Sequence, residues 1–80
     1  MARYFFDLYE CGTQILDDEG RNVADPASLH DLAVAEARSV MAAEVIEGNL
    51  CLSCRIEVRD AEHKPVLSLP FKAAINLTGV

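Results

Sequence analysis

After Pro26 the chain runs to Glu47 without a glycine or a second proline, and both ends of this stretch carry boundary signals. Asp25 can accept hydrogen bonds from the unpartnered first-turn amides, and Pro26 loses nothing at the first helical position because it has no N–H to satisfy. Gly48-Asn49 closes the stretch as a C-terminal cap. The pattern predicts one helix over residues 26–47, a rod of about 33 Å at 1.5 Å per residue. In a chain of 80 residues the rest of the sequence must cover one side of that rod. Leu29, Leu32, Ala33, Ala37, Val40 and Ala43 share an arc of the helical wheel, and its three alanines permit close approach to a sheet. Val34, Met41 and Val45 form a second, weaker arc, which either widens the core contact or meets another subunit.

The flanking segments read as β-structure. Tyr4, Phe6 and Leu8 alternate with Phe5, Asp7 and Tyr9, and this alternation predicts a strand over residues 3–9 with the first set facing the core. Gly12 offers a turn, residues 14–17 a short second strand, and Asp18-Glu19-Gly20 a reversal in which glycine takes positive φ without strain. Residues 21–23 either continue that strand or leave it. Cys54, Ile56 and Val58 alternate with Arg55, Glu57 and Arg59 in a strand with one wet face. Residues 60–65 form a turn, and residues 66–71 a further strand whose end Pro70 places at a sheet edge or bulge. The expectation is an α+β fold in the order β-β-α-β-β. One domain spans residues 1–80, with about four antiparallel strands and the long helix packed on one face. The open face would carry Phe5, Asp7, Tyr9, Arg55, Glu57 and Arg59. Ala73-Ala74-Ile75 could add a helical turn.

Charge and cysteine content narrow the function. The net charge of −6 repels polyphosphates, so neither nucleic acid nor an anionic membrane is expected as a partner. Phe5 and Tyr9 beside Arg55 and Arg59 have the composition of a base-stacking platform, but Asp7 and Glu57 sit among them. The opening residues reach Asp7 before an apolar signal region could form, and no run approaches the 18 apolar residues of a membrane span. A cytoplasmic protein with reduced thiols is expected, since three cysteines make an odd set.

Reaction chemistry is weakly represented. His30 falls in the first helical turn and His63 in a polar turn, and neither adjoins a nucleophile or phosphate-cradling motif. No cofactor and no enzymatic activity are expected. Cys51-Leu52-Ser53-Cys54 is a single CxxC, and with Cys11 and a histidine it could in principle fill a tetrahedral zinc site. Small cysteines filling space near the sheet are the simpler reading. Asp17, Asp18 and Glu19 could likewise offer oxygen ligands to a cation, although calcium-loop spacing is absent.

The segments Arg3-Tyr4-Phe5-Phe6-Asp7-Leu8, Asp18-Glu19-Gly20, Ala33-Val34-Ala35-Glu36-Ala37, and Ile56-Glu57-Val58-Arg59-Asp60 leading to Leu67-Ser68-Leu69-Pro70-Phe71 occur here in a specific order. In this the chain resembles a family of small bacterial proteins of unknown function that open with an Arg-Tyr-Phe-Phe motif, over roughly residues 2–77. The resemblance implies a single bacterial, cytoplasmic domain and supplies no activity. A folded chain this small buries only about 63% of its unfolded surface, so added burial against a partner stabilises it. The expected function is a non-catalytic protein-interaction or regulatory module. Self-association or a protein partner would use Val34, Met41 and Val45 on the helix, or Phe5 and Tyr9 on the open sheet. The alternative is a metal- or ligand-responsive accessory protein that uses Cys11, Cys51 and Cys54 or the acidic turn Asp17–Glu19.

Overall fold

The structure, a computed structural model, describes residues 2–10 and 12–79. Five antiparallel strands and one long helix form an α+β arrangement. They follow in the order β1 (Ala2–Glu10), β2 (Thr13–Ile15), β3 (Arg21–Val23), α1 (Leu29–Ile46), β4 (Arg55–Arg59) and β5 (Pro65–Pro70). The strand order is β2-β1-β4-β5, with β3 also pairing β1. Residues 21–23, left open by the sequence, are therefore a strand of their own.

β2 and β3 act as two halves of one interrupted edge. The registers Leu8↔Ile15 and Tyr4↔Arg21 place residues 5–7 of β1 opposite residues 16–20. The surplus residues bulge outward, and the ladder is mended by a side chain. Asp17 Oδ2 accepts the Phe6 N–H at 3.1 Å, while Asp17 Oδ1 accepts the N–H groups of Glu19 and Gly20 at 3.1 and 3.0 Å. Gly20 is required twice over. Its φ is +69°, and a Cβ there would lie 2.9 Å from the Tyr4 carbonyl oxygen.

The helix begins as a tighter 3₁₀ turn, Pro26–Ser28, with the Asp25 carboxylate accepting the Ala27 N–H at 3.0 Å. It ends in a Schellman arrangement: Gly48 N–H donates to the Val45 carbonyl, and Asn49 N–H to that of Glu44, both at 2.9 Å. Its buried residues are Leu29, Ala33, Ala37 and Met41. One expectation is corrected here, since Ala43 is exposed. Of the two roles open to the second arc, Met41 takes that of widening the core contact, at only 4% exposed. A stripe spaced by four residues drifts about 40° per step, so its lower end reaches Met41 and leaves Ala43 on the far side.

The core lies between α1 and one sheet face. Phe6, Ile56, Val58 and Leu69 from the sheet meet the helix stripe, and Phe71 and Ala74 from the following 3₁₀ turn seal one end. The expected wet face contains a further correction, since Asp7 is fully buried. Its carboxylate takes a two-point grip from Arg59 and accepts the Asp17 N–H at 2.9 Å. These bonds replace the water that a carboxylate at this position would otherwise need.

Candidate interaction surface

Apolar side chains lack cover at the last turn of α1, as Ile15, Leu16, Val66 and Leu77 do elsewhere on the surface. Val45 is 57% exposed, Ile46 86% and Leu50 44%. Gly48, at φ +86°, reverses the chain so that Leu50 returns to the helix end. On the other side Arg38 Nε donates to the Ala74 carbonyl at 2.8 Å, which holds the C-terminal segment along the helix and brings Ile75 to the rim. The result is a shallow concavity of about 430 Å³, lined by Arg38, Met41, Ala42, Val45, Ile46, Leu50 and Ile75.

Of the residues expected on the second helical arc, only Val45 faces outward. Met41 forms the buried floor, and Val34 is half-buried against the core. Ile46 and Leu50 were not anticipated. Ile46 belongs to neither arc, and Leu50 follows the cap in a loop with no period to read.

Phe5 and Tyr9 lie on the open sheet face as expected, but each is covered by its own chain. The Arg59 guanidinium lies 5.3 Å from the Phe5 ring centre and that of Arg55 4.2 Å from Tyr9. Both arginines are also ion-paired, Arg55 with Glu57 at 2.8 Å and Arg59 with Asp7. The Asp7 carboxylate raises the Arg59 pKa further above its ordinary value. His63 completes this cluster. It holds a left-handed φ of 65°, its ring lies 5.4 Å from that of Phe5, and its Nδ1 is 2.6 Å from an Arg59 nitrogen. His30 is exposed beside Asp31 at the start of the helix.

The acidic turn is organised around the backbone. Burial pushes the Asp17 pKa up, but N–H donation from Gly20, Phe6 and Glu19, with the charge of Arg21, outweighs it and holds the group below its ordinary value. With both oxygens accepting from N–H donors, Asp17 holds the backbone of the turn, and Asp17, Asp18 and Glu19 do not converge as a metal-ligating group among the described residues.

Among the cysteines, Cys11 lies outside the described residues, Cys51 is half-buried against the core, and Cys54 is only 1% exposed. The structure brings Cys54 to two partners the sequence did not suggest. Ligand atoms of Glu10, Glu44 and Cys54 all lie within 4.8 Å of one another. Burial, a hydrogen bond with Glu10 and its like charge push the Glu44 pKa up, against the opposing effect of the Cys51 N–H.

A family model described as a domain of unknown function, DUF6894, matches residues 3–72. The chain belongs to this family. The DUF6894 match begins at Arg3 and runs through both ribbons and the helix, ending within the 3₁₀ turn after β5, so it covers the concavity from Arg38 to Leu50, while Ala74 and Ile75 lie beyond it. No curated protein and no solved structure matches the chain. DUF6894 is a domain of unknown function, so membership assigns no activity to the chain.

Proposed function

We propose that this DUF6894 protein is a non-catalytic interaction module of the bacterial cytoplasm, which holds a protein partner or a second copy of itself at the apolar patch ending α1. The observation that carries this reading is Val45, Ile46 and Leu50 exposed together around one concavity. Grouped apolar exposure of this kind marks interaction sites, whereas scattered single residues do not. A non-catalytic role is supported by the employment of the polar groups in holding the fold: Asp17 mends β1, Asp7 grips Arg59, and His63 packs on Phe5. Net charge −6 and two ion-paired sheet-face arginines favour protein over nucleic acid. The bacterial and cytoplasmic parts of the reading rest on the resemblance and the odd cysteine count.

The test compares wild type with the Val45→Glu/Ile46→Glu double variant. Both side chains are exposed, so the variant should keep its circular dichroism and melting temperature. It should lose the concentration-dependent mass increase seen for wild type by light scattering, or the specific partner that wild type retains after crosslinking in the source cell. A wild type that stays monomeric and retains no partner that the variant loses overturns the reading.

A further inference from the structure

We propose that Glu10, Glu44 and Cys54 form a binding site for a zinc-class divalent transition metal, at the end of the core opposite the Asp25 cap. The register of β1 and β4 explains how two of the donors meet. Phe6↔Val58 and Leu8↔Ile56 are helix-facing pairs, and the same alternation continued past Tyr9↔Arg55 sets Glu10 opposite Cys54. A row of apolar pairs thus ends in a carboxylate beside a thiol. The helix supplies the third donor. At about 100° per residue, position 44 falls between Ala33 and Ala37 on the wheel, at the middle of the buried stripe, where an apolar residue would be expected.

Glu44 is poorly satisfied there. Its Oε1 is buried without a hydrogen-bond partner, and no ion pair to Glu10 or Glu44 occurs among the described residues. The last helical turn carries no basic residue, although the negative end of the helix dipole favours a cation. Two crowded carboxylates, a thiol and a helix C-terminus all call for positive charge at one point. A thiolate with two carboxylates suits zinc or cobalt(II) better than magnesium or calcium, which prefer oxygen alone.

The spacing fits with small adjustments. Metal–ligand bonds of roughly 2.0–2.3 Å place tetrahedral donors roughly 3.3–3.8 Å apart. The present separations reach at most 4.8 Å, and the glutamate side chains can close the difference. A cavity of about 530 Å³, lined in part by Glu10, Glu44, Glu47 and Cys51, reaches two of the three donors from the surface.

The experiment titrates the reduced full chain with zinc alone by calorimetry, and with cobalt(II) alone by absorption spectroscopy. One equivalent should bind, and cobalt should show thiolate-to-metal charge transfer. Glu10→Gln and Glu44→Gln should each weaken zinc binding by about tenfold or more, since even outer-shell losses cost roughly 10–100-fold. Cys54→Ser should abolish the charge-transfer band, while Cys11→Ser/Cys51→Ser keeps it. Should Cys54→Ser fail to fold, the glutamine variants decide, because they remove charge from a crowded site and should retain the native circular dichroism. Absence of zinc binding overturns the proposal, as would equal affinity in the glutamine variants or a band that follows Cys11 and Cys51.

Discussion

Asp7 and Arg59 are unequal partners, and the inequality can be measured. The Asp7 side chain has no solvent exposure, whereas that of Arg59 keeps 20%. Removing the guanidinium leaves a buried carboxylate with only the Asp17 N–H to stabilise it. Arg59→Met, which preserves most of the stem, should therefore cost about 3 kcal/mol in urea denaturation, as expected for stranding one member of a buried pair. Asp7→Asn should cost less, because the amide oxygen still accepts from Asp17 and the arginine head can turn to water. Equal losses would show that the pair is solvated. Asp17 provides a second test at this scale. Its folded pKa lies below the ordinary value of 3.8, so its stabilising contribution is complete above that value and is lost as pH falls through the lower folded one. The melting-temperature advantage of wild type over Asp17→Asn should shrink between about pH 5 and about pH 2. None of this was legible in the sequence, where Asp7 has the alternation of an exposed residue and Asp17 the appearance of an ordinary turn aspartate. The loop that joins them is defined by pairing across the sheet.

At the scale of elements, local signals proved sound and their boundaries less so. Asp25-Pro26 starts the helical region and Gly48 closes it, because capping chemistry depends on neighbours in sequence. The first turn tightened to 3₁₀ all the same, with Asp25 capping that turn. Alternation correctly separated Ile56 and Val58 from Arg55 and Arg59. It could not show that residues 21–23 return to β1 after a bulge, which depends on the register of both halves. Ala43 was misplaced at the lower end of the helix stripe for a geometric reason, since the drift carries it out and settles Met41, whose arc had two roles open, on the core side. That drift also centres Glu44 on the core face, a feature visible only once the stripe is located. Two glycines test the turn chemistry. Gly48→Ala forces a left-handed residue into open space and should cost about 1–2 kcal/mol. Gly20→Ala carries the same backbone strain and also drives a methyl group against Tyr4 and Phe5, so its loss should be larger. Chemical denaturation of the two variants side by side checks the order, and the reverse order would mean that the β2–β3 loop relaxes freely.

The whole molecule is a slab of 41 × 24 × 18 Å with a radius of gyration of 12.9 Å, against about 11.6 Å for a compact domain of this length. Its accessible surface of 5242 Å² likewise exceeds the roughly 4,800 Å² usual for this mass. An elongated chain with a thin core gains more than a compact one by covering an apolar patch. Charge opposes that gain when the cover is a second copy, since each molecule carries a net −6. At about 0.01 M salt the Debye length is near 30 Å, comparable with the molecule itself, and at about 0.1 M it falls to near 10 Å. Burial of Val45, Ile46 and Leu50 between copies should therefore strengthen as salt rises, because screening removes the repulsion and leaves the apolar contact almost unchanged. Sedimentation velocity at the two ionic strengths should show the weight-average mass increasing with salt, and Val45→Glu/Ile46→Glu should hold it at the monomer value throughout. A mass that decreases with salt would point instead to ionic pairing through Arg55, Glu57 and the open sheet face, and the helix end would then lose its claim to be the contact between copies.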